Sequence, residues 1–294
     1  MTTTSSSRLA TLLPAVPMAI AALSPAPAPA RDAAEPAHRT ATPASGHYAA
    51  VNGLQIYYEI HGAPNGRTPP VVLLHGGGSS IDTSFARLLP RLAKGRQVVA
   101  FDQQGHGRTA DVDRPFSFEQ SADDAAALLR SLKMDRADFL GFSNGGTIAL
   151  HIAVRHPQLV RKLVVVSGMY KRDGVPAEFW QAMRHASVEN MPADLRDSYA
   201  RIAPHPDQLR SFHDKSARRM LDFKDLRADD MRAIAAPALI INGDRDVVRT
   251  EHALEMSRLL PHAELAVFPA TDHAAMPDRL AEQAALIETF LEAR

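Results

Sequence analysis

"DFLGFSNGGTIAL", residues 138–150, sets Ser143 between two glycines, after an apolar run and before a stretch with apolar residues at helical spacing. Gly141-Phe142-Ser143-Asn144-Gly145 fits G-x-S-x-G, a pattern with mechanical meaning where a buried strand turns sharply into a helix. A serine in such a turn is held in a strained backbone conformation, and the flanking glycines leave room for chain that comes close. The glycine spacing is neither a dinucleotide fingerprint nor a phosphate-binding P-loop. The reading therefore predicts an α/β sheet with Ser143 at the carboxyl end of one strand, where open α/β sheets place their ligands.

The surrounding chain supports that sheet. "PPVVLLHG" (69–76), "RQVVAFD" (96–102), "ADFLGF" (137–142), "KLVVVSG" (162–168), "PALIINGD" (237–244) and "AELAVFP" (263–269) are short apolar runs rich in Val, Ile and Leu. Strands buried on both faces of a mostly parallel sheet have this composition. Ahead of them, "HYAAVNGLQIYYEI" (47–60) alternates on either side of Asn52-Gly53, which predicts an antiparallel hairpin with a type I′ turn. Helix-like segments fill the intervals and are expected on both faces of the sheet. "SFEQSADDAAALLRSL" (117–132) opens with Ser117 and Gln120 at capping-box spacing. "TEHALEMSRLL" (250–260) is expected to be capped by Thr250, and "PDRLAEQAALIETFLEA" (277–293) to close the chain as one helix. Residues 169–234 lack a strand candidate and carry three helix-like pieces that begin near prolines, an interval too long for an ordinary loop. They read as a helical insertion, or lid, that divides the core into 46–168 and 235–294.

Chemistry at Ser143 needs three further parts. A serine hydroxyl is a poor nucleophile near neutral pH until a base takes its proton. Of the 13 histidines, His273 follows the last strand and precedes the last helix, so it shares the carboxyl edge with Ser143. An imidazole base needs a carboxylate to orient it. "INGDRDVV" offers Asp244 and Asp246. Asp244 is placed to hold the turn, and Asp246 is the better match for the acid. Donors for an oxyanion come from "LLHGGGSS" (73–80) after an early strand. The N–H of Gly77, or else Gly78, is expected to act with that of Asn144, and His75 is read as a brace for the loop.

The order of "LLHGGGSS", "FDQQGHGRT", "GFSNGG", "INGDRDVV" and "TDHAAMPDRL" from about residue 47 to the C-terminus resembles an α/β-hydrolase-fold serine hydrolase of carboxylesterase or lactonase type. The resemblance implies nucleophile Ser143, acid Asp246, base His273 and oxyanion amides at Gly77 and Asn144, with 169–234 as the family's variable lid. It also implies that Asp102 and His106 lie in a mainly structural loop. Gln103-Gln104 stand where members often carry an arginine, a departure that bears on the bracing of this loop and not on the chemistry. Relatives with aspartate at the serine position are dehalogenases or epoxide hydrolases, so serine points to acyl transfer to water. The expected substrate is a small to medium uncharged ester or lactone. Gly78, Met169, Tyr170, Phe179, Trp180, Met183 and Met276 are candidates for its pocket. The competing readings are an aminopeptidase or a cofactor-free perhydrolase on the same triad, and a slow-turnover binding or signalling protein.

Composition narrows the partners. Lys plus Arg (33) equals Asp plus Glu (33), which leaves no overall field to attract nucleic acid or an acidic membrane face. Cysteine is absent, which excludes disulfides, thiolate metal sites and a cysteine nucleophile. No metal or organic cofactor is implied, because no His and carboxylate cluster has convincing ligand spacing. At the N-terminus, Arg8, an apolar stretch from Leu9 to Leu23 and "APA" at 28–30 have the layout of a signal peptide over 1–30, followed by an Ala- and Pro-rich linker over 31–45. The expectation is export to the periplasm or medium, without stable membrane insertion once the signal is removed.

Overall fold

The computed structural model describes residues 46–293; the predicted signal peptide and linker lie outside them. Eight strands form one sheet: β1 His47–Val51, β2 Leu54–His61, β3 Val71–Leu74, β4 Val98–Phe101, β5 Ala137–Phe142, β6 Val160–Val166, β7 Ala238–Gly243 and β8 Ala263–Phe268. Their order is β1-β2-β4-β3-β5-β6-β7-β8. The β1/β2 and β2/β4 pairs are antiparallel and the rest parallel. The hairpin turns at Asn52 and Gly53, both with positive φ, as a type I′ turn requires.

The helices are α1 Ile81–Phe85, α2 Leu89–Leu92, α3 Phe118–Ser131, α4 Asn144–Arg155, α5 Ala177–Arg184, α6 Ala193–Ile202, α7 Leu209–Leu221, α8 Ala228–Arg232, α9 Thr250–Leu259, α10 Met276–Glu282 and α11 Ala284–Glu292. Alternate residues of each central strand feed two cores. Val72, Leu74, Leu163 and Val165 pack with α3, α4 and α9 on one face. Val71, Leu73, Val164 and Val166 pack with α1, α2, α10 and α11 on the other. Every residue of β3 and β4 is buried, which is why these segments show no alternation in the sequence.

Three local expectations are corrected. Ser117 Oγ accepts from the Gln120 N–H at 3.0 Å, but the Gln120 side chain turns to Asp124, so only half of the capping box forms. Thr250 is the first residue of α9, and Arg249 occupies the cap position without a side-chain cap bond. The C-terminal helix is broken at Gln283. Met276, Leu280, Ala284, Ile287 and Leu291 are all buried and keep helical spacing across the break, so the sequence pattern gives no warning of it.

The four loops that matter leave the carboxyl ends of β3, β5, β7 and β8. Between β6 and β7, α5 to α8 replace a short crossover, and α5 and α6 start directly after Pro176 and Pro192. Proline suits such starts because it lacks an N–H that the first helical turn could not satisfy.

Candidate active site

The turn from β5 into α4 is built by close contact. Ser143 has φ 55° and ψ −120°, a region that costs a non-glycine residue about 1–3 kcal/mol. A Cβ on Gly141 would run into the Gly145 carbonyl, and one on Gly145 into the carbonyls of Leu74 and His75. Both obstacles are backbone, which cannot rotate away. Gly145→Ala is thus expected to destabilise the protein by more than about 3 kcal/mol, read as a fall in urea midpoint.

The three side chains singled out in the sequence meet. With its proton on Nδ1, His273 donates to Asp246 Oδ1 at 2.8 Å, and its Nε2 accepts from the Ser143 hydroxyl at 2.9 Å. The backbone brings them together: Asp244 N–H donates to the Phe268 carbonyl and Arg245 N–H to Thr271, so the β7 and β8 loops are stitched side by side. Asp244 itself accepts from the Thr271 N–H at 3.0 Å. It holds the turn, and Asp246 faces the imidazole.

The Asp246 side chain is fully buried while the imidazole is one-third exposed. Burial is the largest influence on the Asp246 carboxyl and raises its pKa. His273, the Ser167 hydroxyl at 2.6 Å and the Val248 N–H at 3.0 Å together outweigh it and hold the group below the ordinary carboxylate value. The acid is therefore ionised near neutral pH. Ser167 was missed in the sequence, where "VVSG" after β6 is a hydroxyl at a strand end like many others.

Gly77 and Asn144 face each other, with the Asn144 carboxamide lying where a Gly77 Cβ would be. Asn144 opens α4, so its N–H has no carbonyl one turn back to bond. Gly78 takes φ 73°, a left-handed conformation that glycine enters without strain. The loop is braced from below. His75, fully buried, donates from Nδ1 to the Gly76 carbonyl at 2.8 Å and accepts at Nε2 from the Gln103 N–H at 3.0 Å. Asp102 accepts from the N–H groups of Ile81 and Arg108, both at 2.9 Å. Gln103 donates to the His75 carbonyl at 2.8 Å, and Gln104 bonds Asp111 and Arg114. The two glutamines thus supply bracing where an arginine was expected.

An apolar cavity of about 290 Å³ opens over Ser143 and His273. Gly78, Met169, Phe179 and Met183 line it, as the sequence suggested. Three candidates do not. Tyr170 is buried with its ring stacked on His252 and its hydroxyl on Glu255 at 2.7 Å. Trp180 bonds the Arg172 carbonyl at 3.0 Å and lies under the Arg172 guanidinium. Met276 sits in the core on the other face of the sheet. Each had a polar anchor or an opposite face that residue type does not reveal. Val175, Leu195, Val247 and Val248 supply lining that was not named as pocket. Among the described residues, no acidic, lysine or arginine side chain lines the cavity.

Burial also sets an acid limit. It lowers the His75 and His252 pKa values from 6.5 to about 4. Once unfolded, these rings take up a proton near 6.5, whereas the folded rings stay neutral down to about 4, so their contribution to stability is lost as pH falls between those values. Asp102, pushed up to about 6 by burial, acts in the opposite sense over part of that window. The clean test is a difference: between pH 7 and 4, His252→Gln should lose about 3 kcal/mol less unfolding free energy than the parent.

Comparison with known proteins agrees with the fold. A 2-hydroxymuconate semialdehyde hydrolase of Pseudomonas sp. (strain CF600) is 27% identical over 245 residues, covering 76% of this chain and 86% of that protein. A non-heme haloperoxidase of Rhodococcus erythropolis is 28% identical over 253 residues, covering 76% and 91%. The solved structure of Est816, described as an N-acyl homoserine lactone degrading enzyme, superposes with TM-score 0.67 at 25% identity, covering 83% of this chain and 99% of that one. The sequence profile of the alpha/beta hydrolase fold matches residues 69–280. This chain belongs to the α/β-hydrolase fold family and is a hydrolase.

Proposed function

We propose that the protein is a serine hydrolase that cleaves small to medium, uncharged carboxylic esters or lactones through an acyl-enzyme on Ser143. The observation that carries the reading is the unbroken relay from Ser143 through His273 to Asp246, at 2.9 and 2.8 Å, at the floor of an apolar cavity. Ser143 Oγ attacks the substrate carbonyl as its proton passes to His273 Nε2. The imidazolium that forms is stabilised by ionised Asp246. The carbonyl oxygen, now negative, receives hydrogen bonds from the N–H groups of Gly77 and Asn144. His273 then protonates the departing alkoxide, and the reverse sequence with water frees the acid and restores Ser143.

The cavity supports the substrate class. Its volume is at the small end for ligand sites, which favours short and medium acyl or alcohol groups. Methionines 169, 183, 191 and 220 line it, and their unbranched side chains adapt to varied apolar shapes. An aminopeptidase would need an acidic group for the substrate's ammonium, and no carboxylate lines the cavity among the described residues. The similarity to Est816 supports the inclusion of lactones. The similarity to a protein named non-heme haloperoxidase makes one second reaction worth measuring, in which hydrogen peroxide in place of water takes the acyl group from Ser143. The layout of residues 1–30 supports export, and N-terminal sequencing of the protein recovered outside the cytoplasm tests it.

The test of the main reading pairs a series of p-nitrophenyl esters and lactones of rising acyl length with a fluorophosphonate probe. Turnover should peak at short or medium chains, with one probe bound per chain at Ser143. Failure of both labelling and turnover removes the hydrolase mechanism, and a burst without steady turnover favours a binding role.

A further inference from the structure

A buried cation without a counter-ion stands behind the oxyanion loop. Arg219, on α7, is 3% exposed. Its Nε and Nη2 are buried without hydrogen-bond partners, and among the described residues no carboxylate offsets its charge. Nη2 lies 3.5 Å from the place a Cβ on Gly77 would take, beside the Asn144 carboxamide. The guanidinium rests near the rings of Phe116 and Phe118, at 5.7 and 5.4 Å. One turn earlier on the same helix, Ser216 lines the cavity with its hydroxyl also unpartnered.

An unpaired buried charge costs stability, and chains keep such groups where something else compensates. The titratable groups that feel its charge do not: His75 and His106 are buried and held neutral, with the charge of Arg219 acting in the same direction as burial. Burial lowers the Arg219 pKa only to about 10, so the charge persists at neutral pH.

We infer that Arg219 is an electrostatic positioning residue whose missing negative charge is supplied during the reaction, by the oxygen that becomes anionic between the Gly77 and Asn144 amides. This rests on the acyl-enzyme reading above and adds to it. A cation in a water-poor interior raises the potential at that point, so it favours the tetrahedral intermediate over the neutral ester. A substrate that is neutral in the ground state gains little from Arg219 until its carbonyl oxygen takes up charge, so the effect belongs in kcat.

Arg219→Met and Arg219→Gln test this. Both should lower kcat for a neutral p-nitrophenyl ester by about ten- to a hundredfold while KM stays within about threefold. Both should melt at the parent temperature or above it, because an unpaired buried charge has gone. Arg219→Lys should recover part of the rate. An arylboronic acid, which forms an anionic tetrahedral adduct on the serine, should bind the neutral variants more weakly by the same factor, while a neutral alcohol competitor binds unchanged. The inference is overturned if kcat stays within twofold, if the loss falls on KM, or if both neutral variants melt lower, which would make Arg219 a packing residue. Absence of probe labelling at Ser143 in the parent protein would instead count against the hydrolase reading itself. Labelled parent protein with indifferent Arg219 variants overturns this inference alone.

Discussion

Ser143→Ala is expected to lower ester turnover by a factor on the order of 10⁴–10⁶, with fluorophosphonate labelling lost and the melting temperature within about 2 °C of the parent. The size follows from the proposed mechanism, in which the hydroxyl bonded to His273 Nε2 is that of Ser143. Residual rate would come from the oxyanion amides and binding alone. Stability is spared because alanine keeps the Cβ at φ 55° and removes only a hydroxyl that faces the cavity. Ser143→Gly separates the two roles further. Glycine enters positive φ without penalty, so this variant should be equally inactive yet more stable by about 1 kcal/mol. Steady-state turnover against denaturant midpoint would show both effects, and ester cleavage retained in either variant would take Ser143 out of the reaction.

The second large effect is expected at Asp246. Asp246→Asn keeps the shape of the side chain and its bond to Ser167, but it removes the negative charge that steadies imidazolium and lets His273 take the wrong tautomer. A loss of about 10⁴ in kcat with little change in KM is expected. Asp244→Asn is the control. Its carboxylate accepts from the Thr271 N–H, not from the imidazole, so it should weaken the turn and leave kcat within about tenfold. If the two variants lost activity equally, the orientation of His273 would depend on the turn and not on the Asp246 charge.

Much of this arrangement is legible in the chain. Strand ends are marked by apolar runs that stop at small, polar or turn-forming residues, and G-x-S-x-G leaves few conformations open once a strand precedes it. Gly141 and Gly145 cannot carry a Cβ against the carbonyls that face them, so the motif records a steric fact. His273 and Asp246 could be selected from many residues of their type because both follow strands, and strand ends share one edge. The pocket was less legible. Met169, Phe179 and Met183 face it, but Tyr170, Trp180 and Met276 are equally apolar and are held elsewhere by a stacked His252, the Arg172 carbonyl and the opposite core.

By itself the sequence determined the sheet, its hairpin and the chain order of the candidate side chains, because those depend on spacing and on backbone freedom at single residues. The tertiary structure alone decided the break at Gln283, the support of Asp246 by Ser167, and the solitary charge of Arg219 behind Gly77. Each of these depends on which distant segment lies alongside, and packing of that kind leaves no periodic mark on the residues involved.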